Sequence, residues 1–331
     1  MTGSTFPALL ESFFTERLMH QRMASPHTIA SHRDTFRLLL KFAKISLNKE
    51  PSELKIEDLD APFIGSFLNY LEKERGNTAR SLNARLSSIH SFFRYVALEE
   101  PEFAGLAQRI LSIPSKRFKQ KPVEFLNSAE EDALLAAPDL GSWSGRRDRA
   151  LILLALQTGL RVSELVGLSL SDVKLGTGAH VRCTGKARKE RCTPLRKEAV
   201  AVLKAWIGER NCNFQEPLFP NARGGRLSRD GVEYLLAKHV KTAKKNCPTL
   251  KDKKVSPHTL RHSLAMDLLY HGVDQIVIAL WLGHEKVETT QIYVHADMRL
   301  KENALSKAEP NNIRFKRFKP DDELLGFLKS L

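Results

Sequence analysis

Long apolar runs are what this chain most lacks. The two longest, Ala150–Leu156 and Ile276–Leu282, reach seven residues each, against the roughly 20 that a membrane-spanning helix needs. No stretch suits a bilayer. Cysteine is scarce too: Cys183, Cys192, Cys212 and Cys247 are the whole set. They include no CxxC pair and are too few for a disulfide scaffold, so a reducing cytoplasm is expected. No basic segment followed by an apolar one opens the chain, so no signal peptide is expected. Internal repeats and low-complexity segments do not stand out either. Acidic residues are in deficit: 38 Asp and Glu face 52 Lys and Arg, a formal net charge of +14. An excess of that size favours a polyanionic partner, nucleic acid first and an anionic membrane surface second.

What is present reads as two domains. Hydrophobic residues make up 42% of the 331, enough for ordinary cores, and single cores stop growing below roughly 250–300 residues. From residue 5 to about 110 the pattern is helical. Ser25–Pro26 opens a helix carrying Phe36, Leu39, Leu40 and Phe42, and Pro62 starts another with Ile64, Phe67, Leu68 and Leu71 on one stripe. Asn77 is expected to cap a third, Thr78 to Leu98, whose buried side is Leu82, Ile89, Phe92, Phe93 and Val96. That helix also carries Arg80, Arg85 and Arg94, a solvated basic face or one that tracks a nucleic-acid backbone. Residues 112–122 hold two prolines with Lys116, Arg117, Lys119 and Lys121. This is the composition of a linker, with charge suited to running along phosphates.

Asn127 with Glu130 forms a capping-box pattern, so a second domain opens near residue 123. Arg149–Thr158 is apolar nearly all round and reads as a central buried helix. Gly159 breaks it, and Arg161 opens a short helix with Glu164 one turn on. Between Asp172 and Leu195 the period changes to short β-like runs joined by two turns, a small antiparallel sheet. Its second turn holds Lys186, Arg188, Lys189 and Arg191. Residues 196–210 and 229–245 are amphipathic helices. Ser256–Pro257 starts a further helix, with His258 and Arg261 on neighbouring faces of its first turn and Gly272 at its end. An arginine at a positive helix end makes a seat for an anion such as phosphate. Asp274–Leu282 is expected to be a second, buried helix, ended by Gly283 with His284 on the loop beyond, and Tyr293 follows nine residues later. The chain closes on a basic stretch with Phe315 and Phe318, then a short amphipathic helix containing Leu324, Leu325, Phe327, Leu328 and Leu331. Alone it is too short to persist in water, so it is expected to dock on its own domain or on a neighbouring protomer.

The polar residues suit metal-free phosphodiester cleavage. That reaction needs a nucleophile, cationic donors for the non-bridging oxygens and a proton donor for the leaving alkoxide. Arginine's planar fork can meet two phosphate oxygens at once. A lysine on a hairpin tip can reach a leaving oxygen, and histidine carries protons near neutral pH. Tyrosine as nucleophile stores the phosphate as an aryl ester that a sugar hydroxyl can reverse without ATP. Each residue also has an ordinary reading. A lone arginine at a helix start is usually surface charge, a histidine after Leu-Gly an ordinary cap, and a tyrosine a half-buried aromatic. A metal site at His258 and His262 is disfavoured, because HTLRH lacks the glutamate of HExxH and Arg261 would repel a cation.

Order and spacing change the balance. TGLRVSEL at 158–165, GK at 185–186, HTLRH at 258–262, LGH at 282–284 and TTQIY at 289–293 resemble the catalytic signature of the tyrosine recombinases, the phage-integrase and Xer-like site-specific recombinases, in an Xer-like or transposon-associated branch. The resemblance implies a mostly α fold: a helical core-binding domain over 1–111, a basic linker over 112–122, and an α-rich catalytic domain with a small antiparallel sheet over 123–310. A tail over 311–331 would carry a short helix for protomer contact. The implied activity is DNA cleavage and rejoining through a 3′-phosphotyrosyl intermediate, serving integration, excision or transposition without metal, cofactor or ATP. Tyr293 would be the nucleophile, and Arg161 and Arg261 would hold the non-bridging oxygens. Lys186 would be the acid for the 5′ oxygen, on the strength of the GK placement after the second strand. His258 would assist proton transfer at the tyrosine, His284 would donate to the phosphate, and Glu164 would brace the arginine site.

The implied partners are double-stranded DNA, a tetramer of this chain on two DNA sites and other recombinase subunits, with no membrane, in a cytoplasmic, nucleoid-associated setting. DNA contacts are expected from Arg80, Arg85, Arg94, Lys116, Arg117, Lys119, Arg188 and Lys189. A first helix near residue 5 argues against the extra arm domain of larger phage integrases. Two other readings remain: a non-catalytic DNA-binding regulator with the same fold, and a type IB topoisomerase-like activity. The intact residue set argues against the first, and the nine-residue step from His284 to Tyr293 favours the recombinase over the second.

Overall fold

The structure, a computed structural model, describes residues 5–118, 123–185, 190–210, 215–283 and Thr290. Lys119, Lys121, Lys186, Arg188, Lys189, His284, Tyr293 and the tail over 311–331 lie outside the described residues. The chain divides into two compact units, Met1–Gln120 and Lys121–Leu331.

The first unit is helical throughout. Helix α1 (Phe6–Ser12) continues into a π-helical stretch, Phe13–Gln21, followed by α2 (Pro26–Leu47), α3 (Ala61–Lys73), α4 (Ala79–Glu99) and α5 (Ala104–Leu111). Side-chain oxygens at Ser25, Asp60 and Thr78 accept the free N–H groups that open α2, α3 and α4, a cap worth about 1 kcal/mol each. The third of these belongs to Thr78, one residue later than the sequence suggests. The core is aromatic. Phe13 meets Phe92 edge-on at 5.4 Å, and Phe36 meets Phe92 at 5.1 Å, the arrangement that ring quadrupoles favour.

Residues following α5 lie along this unit's own surface. Asn83 on α4 holds the backbone of Lys116 from both sides, its amide donating to the carbonyl and its oxygen accepting the N–H, each at 2.9 Å. The Lys116 ammonium pairs with Glu72, and Arg80 stacks over Phe118. Arg85 departs from the basic-face expectation. Half-buried, it donates to the Ser31 carbonyl and the Thr35 hydroxyl on α2, so it ties two helices together while Arg80 and Arg94 remain exposed.

The second unit contains α6 (Ser128–Ala136), α7 (Trp143–Thr158), α8 (Val162–Gly167), a sheet of β1 (Val173–Lys174), β2 (His180–Thr184) and β3 (Glu190–Pro194), then α9 (Lys197–Gly208), α10 (Arg229–Asn246), α11 (Pro257–Tyr270) and α12 (Gln275–Leu282). The sheet is antiparallel in the order β1-β2-β3, with Val181 opposite Thr193 and Cys183 opposite Arg191. Helix α7 packs against α9 and α11 and supplies the middle of the core.

It begins six residues before the expected Arg149, capped by Ser142. The extra turns carry Arg147 and Asp148, both buried. Burial of these charges is tolerable because they are paired. Asp148 accepts two bonds from the Arg147 guanidinium and one from His239 on α10 at 2.8 Å, while Arg147 also donates to the Pro220 carbonyl. Burial pushes the Asp148 carboxyl up, but His239 and Arg147 outweigh it and hold it below the usual range.

Helix α12 is a second correction. Its sequence is apolar on every side, yet only Ile278, Ala279 and Leu282 are buried, against Leu264 and Met266 of α11, while Ile276, Val277 and Leu280 face solvent. A third concerns Arg191, which belongs to β3 rather than to the expected turn.

Candidate active site

Residue 159 is where the site begins. Gly159 ends α7 in the left-handed region at φ +60°, and a Cβ there would stand 2.7 Å from Leu282 and 2.9 Å from Leu264. Only glycine allows both the turn and the contact. The reversal exposes the Gly159 carbonyl to Arg261 and sets Arg161 as the residue that opens α8.

Arg261 is one turn into α11, whose start is fixed by Pro257 and by the Ser256 hydroxyl on the Thr259 N–H. Its side chain is not displayed at the helix end as the anion-seat argument has it. The residue is 4% exposed, and its two terminal nitrogens donate at 2.6 Å to the carbonyls of Gly159 and Leu282. Arg161 reaches the same turn from the other side. Its Nη2 donates to the Gly283 carbonyl at 3.1 Å, and its Nη1 to Glu164 at 3.0 Å. Two arginines a hundred positions apart therefore hold consecutive carbonyls at the C-terminal end of α12, where the unpaired C=O groups carry partial negative charge. His284 is the next residue in the chain.

Glu164 is the pivot beneath them. It accepts the Arg161 backbone N–H at 2.7 Å, closing the first turn of α8, and it accepts Arg191 through both oxygens at 3.1 and 2.8 Å. Burial pushes this carboxyl up, but the Arg191 bonds, the Arg161 N–H and the two guanidinium charges prevail, so it stays ionised well below the usual range. Arg191 comes to Glu164 because strands alternate. On β3, Arg191 and Thr193 face inward with Val181 and Cys183, while Glu190, Cys192 and Pro194 face out. Counting alternate positions back from Thr193 is the one sequence signal that separates Arg191 from its charged neighbours.

His258 is exposed at the α11 start, its ring 6.4 Å from that of His262. Its ring is nonetheless partly desolvated against the neighbouring helices, and that desolvation, then the Arg261, Arg161 and Arg229 charges, lowers its pKa below the ordinary value. His262, deeper in, is depressed to about 4 by burial, His258 and Arg261. The described residues thus bring together Arg161, Glu164, His258 and Arg261 of the expected set, and add Arg191. They contain no group of three His, Cys, Asp or Glu side chains able to hold a metal ion. No described helix is long and apolar enough to cross a membrane.

Comparison with known proteins gives this arrangement its class. The model of the phage integrase family matches residues 124–299, and that of the phage integrase N-terminal SAM-like domain matches residues 12–100. A Sinorhizobium fredii protein named integrase/recombinase y4rC is 58% identical over 98% of this chain and 97% of its own length. Tyrosine recombinase XerC of Pelotomaculum thermopropionicum is 32% identical over 90% of this chain and 96% of its own. Among solved structures, XerH recombinase bound to palindromic difH in a post-cleavage complex superposes with a TM-score of 0.70 at 23% identity, over 89% of this chain and 84% of that one. The Tn1549 transposon integrase in complex with circular intermediate DNA gives 0.67 at 18%, over 92% and 99%. Those two likenesses are of fold. The chain belongs to the tyrosine recombinase family, the phage-integrase group of site-specific recombinases, which break and rejoin DNA.

Proposed function

We propose that this chain cuts and rejoins double-stranded DNA at a defined site through a 3′-phosphotyrosyl bond, in the integration, excision or transposition of a DNA element. The observation that carries the reading is the meeting of Arg161 and Arg261 on the carbonyls of residues 283 and 282, directly before His284 and one helical turn from His258. A phosphodiester seated there has guanidinium donors for its non-bridging oxygens. In the proposed reaction the Tyr293 phenol loses its proton with help from His258 and attacks phosphorus. The P–O5′ bond breaks as the P–O(Tyr) bond forms, and Lys186 protonates the departing 5′ oxygen. The His284 imidazole donates to the phosphate. Rejoining is the reverse, with a 5′-hydroxyl attacking the aryl ester and the phenol leaving, so bond energy is conserved without a nucleotide cofactor.

DNA is the proposed partner, and the net charge of +14 suits it. The first unit, with Arg80, Arg94 and Arg117 exposed, is the proposed core-binding domain and the second the catalytic one. The linker and hairpin bases Lys116, Lys119, Arg188 and Lys189 are assigned phosphate contacts. A tetramer on two duplexes, joined through the C-terminal helix, completes the assembly. The test is a nicked suicide substrate built from the element's own ends, on which the short downstream fragment carrying the new 5′-hydroxyl diffuses away after cleavage. The wild-type chain should accumulate a covalent protein–DNA adduct, and Tyr293→Phe should form none; an adduct that persists in Tyr293→Phe defeats the nucleophile assignment.

A further inference from the structure

Arg191 is an arginine the reaction scheme above does not use, and it is unusually placed. It sits on the inward face of β3 with only 14% of its side chain exposed, and both terminal nitrogens are spent on Glu164. Its buried Nε finds no partner among the described residues. Gly283, at φ +63°, lies so close that a Cβ there would stand 2.5 Å from Arg191 Nη1 and 3.2 Å from its Cζ. The glycine of the LGH motif is therefore needed for a flat guanidinium as much as for the turn.

Resting on the reading just given for Arg161, we infer that Arg191 is a positioning residue: by occupying Glu164 through both its arms, it leaves Arg161 held by one arm and oriented for phosphate. Each Glu164 oxygen is shared. Oε1 accepts Arg161 Nη1 and Arg191 Nη1, while Oε2 accepts the Arg161 backbone N–H and Arg191 Nη2. Arg161 gives the carboxylate only Nη1 and keeps Nη2 on the Gly283 carbonyl. A carboxylate and a lone guanidinium prefer the bidentate fork. With Arg191 removed, Glu164 is free to take both arms of Arg161, turning that guanidinium toward the protein and away from the Gly283 carbonyl. Arg191 thus acts on the phosphate clamp from β3 without touching the phosphate. Lysine cannot replace it, since one ammonium cannot hold both oxygens in the plane.

The experiment compares cleavage by wild type, Arg191→Lys, Arg191→Met and Glu164→Gln on two suicide substrates, one with the ordinary scissile phosphodiester and one with a neutral methylphosphonate at that position. A misdirected catalytic group costs on the order of 100-fold, and that is the loss expected for Arg191→Lys on the ordinary substrate, with circular dichroism reporting a folded chain. On the methylphosphonate, which has one charge fewer to clamp, the ratio of variant to wild type should return toward one. Arg191→Met added to Glu164→Gln should cost little more than Glu164→Gln alone, as for two residues in one chain of contacts. Equal losses on both substrates in folded Arg191→Lys, with wild type cleaving normally, mean that Arg191 does not act through the clamp on the phosphate charge and overturn the inference alone. A wild-type chain that forms no adduct overturns the reading it rests on, and the inference with it.

Discussion

Glu131 and His262 show how single groups in the second unit set its response to pH. Burial, then the Asp267 and Asp132 charges, raise Glu131 from an ordinary 4.5 to about 7, with Arg196 only partly opposing. Between those values the folded chain binds a proton that the unfolded chain does not, so this group's contribution to stability falls as pH rises from 4.5 to 7. His262 is depressed from 6.5 to about 4. There the unfolded chain binds the extra proton, and stability is lost as pH falls from 6.5 to 4. The two slopes oppose each other in the wild-type chain. Glu131→Gln should raise the thermal midpoint more at pH 8 than at pH 5 and leave a stability that climbs with pH through the His262 window. Equal gains at both pH values in thermal denaturation would count against the burial of Glu131. Gly159→Ala is the complementary case. At φ +60° and 2.7 Å from Leu282, it should cost at least the roughly 1–2 kcal/mol that an L-residue incurs in the left-handed region, measured by urea titration.

At the scale of elements, α12 and β3 explain where sequence reading reached its limit. The start of α11 and the breaks at Gly159 and Gly283 were legible, because serine, proline and glycine act through the local backbone. The buried side of α12 was not. A helix apolar all round carries no periodicity to say which side its neighbours cover. The prediction is a sharp contrast: Ile278→Ala should cost about 2–5 kcal/mol, whereas Ile276→Ser and Leu280→Ser should stay within about 0.5 kcal/mol. Comparable losses at all three in chemical denaturation would put the exposed side in contact with something. The early start of α7 was hidden for another reason. Arg147 and Asp148 interrupt the apolar pattern that marks the helix, and nothing in the sequence shows that His239, 91 positions from Asp148, pairs with that carboxylate in the core. Arg191 stands in the sequence beside Arg188 and Lys189, and the pairing of its strand, opposite Cys183, shows that it faces in.

For the whole molecule, each unit has its own hydrophobic core. The first is built on Phe13, Phe36, Phe67, Phe92 and Phe93, and the second on α7, α10 and the sheet. Residues 1–118 and 123–331 expressed separately should therefore each melt cooperatively, and a fragment with no cooperative transition would show that its core is incomplete. The two-part division and the helical character were readable from composition and period. The meeting of residues 159–164, 191, 258–262 and 282–283 was not, since nothing in a linear pattern reports contacts across such separations; motif order, through resemblance, grouped Arg161, Glu164, His258 and Arg261 but not Arg191. The net charge of +14 acts at this scale as well. Binding to nonspecific duplex should weaken steeply between 50 and 200 mM salt, by on the order of 1,000-fold or more for six or more phosphate contacts, and a shallow slope in a fluorescence titration would argue for few phosphate contacts.

The hold on the end of α12 has an electrostatic consequence. Arg161 and Arg261 spend arms on backbone carbonyls, which orient a guanidinium without cancelling its charge, while a single carboxylate, Glu164, serves both Arg161 and Arg191. Three cations against one anion leave a formal surplus of two positive charges among these four side chains. A phosphodiester brings one negative charge, and the pentavalent state on the way to strand exchange brings two. With the phosphodiester seated as proposed, these four side chains alone would exceed the charge of the resting substrate and match that of the transfer state, which is where preorganised charge lowers a barrier.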